Sequence, residues 1–402
     1  MKYKVAVLNT GGAMWPAGTS YLRNLFIALK SLPLDTRPHI TLLVPTDTVL
    51  NDTLTPYIDQ VFALPPVDAG SQRLFKKIYG RIPANIASTI SKLEMPSKLE
   101  TFLQRQGIHV LFSQVMKIDL YRSLKIPFIS WIPDFQHRHI PNMFSSREIK
   151  ARDYNFEVAA RFSTQVMLSS QCALNDYHNF IPEFALKGRV LSFVSCPPVG
   201  IYDVDPLSIC DRYHLPERFV YLPNQFWRHK NHSIVIDALF IACKKNPQVK
   251  IVCTGGMQED RDANYVPGLF AKIAEFGLHE NFIMLGLIPH IYTFQLIRQS
   301  LAVLQPSLFE GWSTTVEETK SVGKAIIISD IPVHREQNPS NAFFFVANDA
   351  EALALQLLHV FETQNSGPDL EMEQAAVANL EMRKIAFGQC FMKHVCDLTP
   401  GN

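Results

Sequence analysis

Short β-branched runs alternate with helix-patterned segments along almost the whole chain, and no other feature of the sequence restricts the fold so much. The first series is YKVAVLN, then a helical pattern from about Tyr21 to Lys30, then HITLLVP, HVLFSQ, PFISWIPD and TQVMLSS. Such alternation predicts a parallel, doubly wound α/β sheet. The Pro-rich stretch SCPPVGIYDVDP, residues 195–206, interrupts the pattern, which restarts as RFVYLPN, VKIVCTGG, NFIMLGLI, LAVLQPS and KAIIISD. The expected architecture is two Rossmann-like α/β domains, residues 1–200 and 201–380, facing each other across a cleft. The helix-patterned segment 381–402 is a candidate to cross back to the first domain.

A chain of 402 residues is too long for one ordinary core, which agrees with two domains. Apolar residues make up 47% and charged residues 19%, a globular composition that argues against long disordered tails. The net charge of +1 gives no reason to expect nucleic acid as a partner. It hides an asymmetry: residues 1–200 carry 22 Lys and Arg against 14 Asp and Glu, which leaves 16 against 23 for the remainder. An anionic partner for the first half or unpurposed surface charge would both produce that split. The seven cysteines show no CxxC pair and read as reduced, buried thiols. The start of the chain lacks the apolar core of a signal peptide, and no run approaches the ~20 apolar residues that span a bilayer, so the expected compartment is the cytoplasm.

Ligands of such sheets bind beyond the carboxyl ends of the strands, so the loops there hold the candidate site residues. The most informative stretch is QPSLFEGWSTTVEETKSVGKAIIISD. A strand ends at Pro306, a loop carries Glu310 and Gly311, and a helix begins near Ser313, Thr314 and Thr315. Unpaired amides at a helix start favour an anion such as a phosphate. Glu310 precedes that start and Glu318 lies within the helix. Two acceptor-only carboxylates beside a diphosphate make sense when they hold hydroxyls, which the sugar and ribose of a nucleotide sugar offer. The alternative is a solvated Glu310 and two helix-face charges, Glu317 and Glu318.

The spacing from Glu310 to Glu318, set in PSLFEGWSTTVEE and followed by GKAIIISDIPVHRE, resembles the E-x7-E signature of retaining GT-B glycosyltransferases, in particular family 4. The resemblance runs along nearly the whole chain and includes LGLIPHIYTFQLIRQSLAVLQPS and SWIPDFQHRHIPNMFS, the latter much like a segment of a bacterial, polysaccharide-type subset. It implies that Glu310 bonds hydroxyls of the donor sugar, that Glu318 holds the ribose, and that amides around Trp312, Ser313, Thr314 and Thr315 meet sugar and phosphate. It also implies that Ile288 lies near the nucleobase.

NQFWRHKNH follows the first strand of the second domain, and Lys230 in it is the candidate to neutralise a leaving diphosphate. Many relatives have an Arg where this chain has Gln225. Either Gln225 or Arg228 could replace it; a solvated basic loop is the other reading. In the first domain Gly11, Gly12 and Gly18 allow close backbone approach to a ligand before the Tyr21 helix. Their spacing is not GxGxxG, so no dinucleotide cofactor is indicated. Gly18 corresponds, by the resemblance, to the glycine nearest phosphate or acceptor. Asp134, His137 and His139 follow a strand; the resemblance makes His137 a donor-sugar contact, with Asp134 orienting it, and a structural histidine is the alternative. Ser169 and Ser170 either line an acceptor cleft or cap the next helix.

The DxD at Asp203 and Asp205 lies in the Pro-rich linker and not after a strand, so no metal site is expected there. Residues 73–82, RLFKKIYGRI, form either a solvated basic helix or a weak peripheral contact with anionic lipid. The reading that follows is a metal-independent, cofactor-free retaining hexosyltransferase that takes a UDP- or GDP-sugar donor to a saccharide or lipid-linked acceptor in cell-surface polysaccharide synthesis. The alternatives are an epimerase-type enzyme acting on a sugar nucleotide alone, and a non-catalytic sugar-nucleotide-binding protein.

Overall fold

The computed structural model describes residues 2–8, 16–45, 53–64, 98–114 and 124–399. Two compact units emerge, one from residues 1–135, 146–193 and 384–402, the other from residues 136–145 and 194–383. The first holds β1 (Lys4–Leu8), β2 (His39–Val44), β3 (Gln60–Ala63), β4 (Val110–Gln114), β5 (Phe128–Ile132), β6 (Gln165–Leu168) and β7 (Gly188–Val190), in the order β3-β2-β1-β4-β5-β6-β7. The second holds β8 (Val220–Pro223), β9 (Ile251–Thr254), β10 (Phe282–Met284), β11 (Val303–Gln305), β12 (Ile326–Ser329) and β13 (Ala342–Phe345), in the order β10-β9-β8-β11-β12-β13. Every strand pair is parallel. The expected pair of Rossmann-like parallel sheets is present.

The apolar runs make buried strands because alternate residues feed two different cores. Val220, Leu222, Ile251, Cys253 and Ile327 pack on one side of the second sheet, while Tyr221, Val252, Ile326 and Ile328 pack on the other. In the first unit Tyr21 stacks on Trp131 at 3.9 Å between ring centroids and meets Phe387 edge-on at 6.4 Å. Phe387 belongs to a single helix, Leu370–Asp397, that begins in the second unit and ends in the first. Its close seat on the Pro16–Lys30 helix requires Gly388, since a Cβ there would lie 2.7 Å from the Ala28 carbonyl oxygen.

Two boundaries differ from the sequence reading. The first helix begins at Pro16, not Tyr21, because proline is well tolerated in a first helical turn; Gly18 therefore sits inside that helix. Residues 136–145 group with the second unit although they lie within 1–200. There His139 stacks on Phe309 at 5.0 Å, and the Arg261 guanidinium covers Phe144 at 4.7 Å.

Gln114 closes β4 with its side chain buried, and among the described residues neither its amide oxygen nor its amide nitrogen has a hydrogen-bond partner. An unpaired buried amide is a standing cost of about 1–3 kcal/mol. Gln114→Leu is therefore expected to raise the urea midpoint at an unchanged slope, a gain of about 1 kcal/mol or more.

Candidate active site

In the second sheet the strand order reverses between β8 and β11, and a crevice beyond the carboxyl ends of those strands is where an open α/β sheet binds its ligand. Lys230 follows β8 and Glu310 follows β11. They meet: Lys230 Nζ donates to Glu310 Oε1 at 2.5 Å. Lys230 is the last residue of a short 3-10 turn, Arg228–Lys230, and the chain then passes through Asn231 at φ 59°. Asparagine tolerates that left-handed conformation, and its side-chain amide fixes the turn by donating to the carbonyls of Pro306 (3.3 Å) and Ala347 (3.0 Å).

Glu310 Oε1 accepts two further bonds, from Gln305 Nε2 at 2.8 Å and from Ser307 Oγ at 2.6 Å. Gln305 is itself oriented by Asn224, whose Nδ2 donates to its Oε1 at 2.9 Å. Three donors on one oxygen fix the carboxylate plane and leave Oε2 with no protein partner among the described residues. Burial is the largest influence on this carboxyl and pushes its pKa up. Lys230, then His229 and the bonds from Lys230 and Ser307, outweigh that push and hold it below the ordinary value. Glu310 is thus kept ionised by its neighbours. Around it the imidazoles are neutral: burial, then Lys230, brings His229 down to about 3, and burial brings His334 down to about 4 although Glu310 favours its charged form.

The helix Thr314–Ser321 begins directly after this loop. Ser313 caps it, accepting from Val316 N at 3.4 Å, and the Gln337 side chain clamps Ser313 by bonding both its N–H and its carbonyl at 3.0 Å. The amides of Thr314 and Thr315 have no acceptor among the described residues, as the first turn of a helix leaves them. Trp312 is partly exposed beside them. The two glutamates of the helix then diverge. Glu317 is buried and accepts from Arg383 Nη1 (2.6 Å), Gln337 Nε2 (3.1 Å) and Lys320 Nζ (3.2 Å). Glu318 points elsewhere: its Oε1 is paired with His290 Nε2 at 2.8 Å.

Gln225 and the glycine pair after β9 form a third edge. Gln225 Oε1 accepts from the Gly256 amide at 2.7 Å, while its own NH2 has no acceptor among the described residues. Gly255 has φ +136°, and a Cβ on it would come 2.3 Å from the Asn224 carbonyl oxygen, so only glycine allows this approach. Arg228 is exposed, with Nη1 4.0 Å from Asp262 Oδ2, and its backbone N–H donates to Glu259. Ile288 packs half-buried against the core cluster that includes Tyr221 and Phe294, next in sequence to an exposed Leu287.

The remaining candidates separate from this cluster. Gly11, Gly12 and the basic segment 73–82 lie outside the described residues. Gly18 is buried in its helix. His137 is buried in the short Gln136–His139 helix and meets Phe144 edge-on at 6.3 Å, and Asp134 has Arg152 at 3.6 Å. Ser170 is the cap of the Gln171–Phe180 helix, and Ser169 accepts from Trp131 Nε1 at 2.8 Å. Asp205 Oδ1 accepts from the Leu207 amide, which turns the linker into the next helix. Among the described residues no three His, Cys, Asp or Glu side chains gather as a metal-holding set.

Asn224, Gln305, Ser307, His290 and Gln337 were not among the sequence candidates. For Gln305 and Asn224 a signal existed: each is a buried amide at the carboxyl end of an otherwise apolar strand. For His290 and Gln337 there was none, because their partners lie 28 and 24 residues away.

Residues 214–377 match the family model described as glycosyl transferases group 1, a span that contains Lys230, Glu310 and Glu318. Three solved structures align with nearly the whole chain. The chain has the GT-B fold. HepE of Anabaena, solved with UDP and glucose, aligns with a TM-score of 0.67 at 16% identity, over 98% of this chain and 99% of that one. A glycosyltransferase from Rickettsia africae aligns at 0.65 and 14% identity, over 100% of both chains. Sucrose-phosphate synthase from Thermosynechococcus elongatus aligns at 0.63 and 14% identity, over 99% of this chain and 98% of that one. No curated protein sequence matches. Likeness at these identities establishes GT-B architecture, and residues 214–377 are similar to the glycosyl transferases group 1 model.

Proposed function

We propose that this GT-B chain is a retaining glycosyltransferase of the family 4 kind, moving a hexosyl unit from a UDP-sugar to a saccharide or lipid-linked acceptor. The observation that carries the reading is the Lys230–Glu310 contact at the β8/β11 switch point, with one carboxylate oxygen held by three donors and the other left open. That open oxygen suits a hydroxyl of the donor sugar. The Thr314 and Thr315 amides suit its phosphates. Lys230, already fixed in place, offers its remaining ammonium protons to the leaving diphosphate without reorganisation. Gln225, whose NH2 is open, is a better substitute for the family arginine than the exposed Arg228. UDP is favoured over GDP because HepE was solved with UDP.

In the step we envisage, the bond from the anomeric carbon to the diphosphate oxygen breaks as the acceptor oxygen bonds to the same face of that carbon. The acceptor proton passes to the departing phosphate oxygen. The protein then contributes alignment and charge stabilisation. The test is a thermal-shift screen of nucleotide sugars in EDTA, since a ligand that binds only the native state raises the apparent melting temperature. A UDP-sugar is expected to give the largest shift, undiminished by the chelator. Uniform silence across UDP- and GDP-sugars would defeat the reading, and a shift abolished by EDTA would defeat metal independence.

A further inference from the structure

His290 opens the helix His290–Gln299, and its ring is only half covered, yet it is firmly placed. One side of it leans edge-on against the buried Phe294, with 5.2 Å between centroids. Its Nε2 lies 2.8 Å from Glu318 Oε1. A carboxylate only accepts, so this nitrogen is the one that carries the proton. Glu318 is nearly buried, and its second oxygen has no protein partner among the described residues. The pattern repeats the one at Glu310: a protein donor occupies one oxygen and sets the plane of the group, and the other oxygen is left to a ligand.

We propose that His290 is the positioning residue of Glu318, and that the pair makes the site discriminate for the ribose 2′-hydroxyl of a nucleoside diphosphate. This rests on the reading of Glu318 as the ribose contact. A free carboxylate rotates about its last torsion and accepts from many directions. One pinned by an imidazole N–H presents its remaining lone pairs along a fixed line, so a ligand lacking the matching hydroxyl leaves a desolvated oxygen unpaired. Aligning the acceptor in advance is what turns a hydrogen bond into selectivity.

The test measures, by calorimetry, the affinity of the full chain for UDP and GDP and for their 2′-deoxy forms. Wild type is expected to bind the ribo form of its preferred diphosphate about 10- to 100-fold more tightly than the deoxy form, the worth of a hydrogen bond to a charged group. His290→Phe retains the contact with Phe294 and removes the donor; it is expected to weaken the ribo form and shrink the ratio to within about 3-fold. His290→Gln, which restores an N–H, is expected to recover part of that ratio, which a loss of mere packing would not allow. A wild type indifferent to the 2′-hydroxyl, or a His290→Phe variant with the wild-type ratio, overturns the proposal alone. Failure of both UDP and GDP to bind wild type overturns the donor reading and this proposal together.

Discussion

Lys230→Ala is expected to lower turnover at least ~10²-fold, and Glu310→Ala by a similar factor, as loss of a preorganised electrostatic contact does. The two side chains form one unit: the ammonium holds the carboxylate ionised against the pull of burial, and the carboxylate holds the ammonium at the switch point. Their effects should therefore not multiply. The double variant is expected to lose little more than either single one, because each single change already dismantles the arrangement. Glu310→Gln sharpens the distinction between shape and charge. It retains the volume and the acceptor oxygen for Gln305 and Ser307, and abolishes the charge that fixes Lys230. Steady-state rates with a UDP-sugar donor, read beside melting temperatures of the same variants, check this. Turnover within a few-fold of wild type in a folded Lys230→Ala protein would remove Lys230 from the chemistry.

The second large effect is on stability. Arg298 is buried and donates to both oxygens of buried Glu373, at 2.6 and 3.2 Å, and also to the carbonyls of Ile201 (2.7 Å) and Val204 (3.3 Å). The guanidinium so joins the Pro-rich linker, the His290–Gln299 helix and the start of the Leu370–Asp397 helix, with Tyr202 over its face at 5.0 Å. Glu373→Ala would leave this cation buried and uncompensated, and breaking a buried pair from one side costs about 3–5 kcal/mol. Against a typical total of about 5–15 kcal/mol, that is enough to unfold much of the population on mild heating. Removing both charges should cost far less: the pair Arg298→Met with Glu373→Leu is expected to recover most of the loss, since desolvating an ion pair offsets much of its attraction. Urea denaturation of the single and double variants measures both. Equal losses in the single and double variants would mean that the packing, not the charge, matters here.

The parallel α/β sheets were legible because most strands are short apolar runs, and in the second sheet their alternate residues enter two cores, a demand that composition and periodicity record locally. The places of Glu310 and Lys230 in loops that follow strands, and of Glu318 within a helix, were also legible. What surrounds them was not. Asn224 orients Gln305, and through it Glu310, only because strands 81 residues apart in the chain lie side by side. His290 and Gln337 reach their partners from separate helices. Glu317 and Glu318 are neighbours of the same chemistry, and only their neighbours in space made one a buried tie to Arg383 and gave the other an open oxygen. By itself the sequence determined ten of the thirteen described strands and where a helix start would fall, because burial and capping are written into adjacent residues; β3, β7 and β13 escaped it, being short and mostly not buried. The tertiary structure alone decided which carboxylate is pinned, by whom, and which oxygen is left open, because hydrogen bonds join residues by distance in space and leave no periodic trace in the chain.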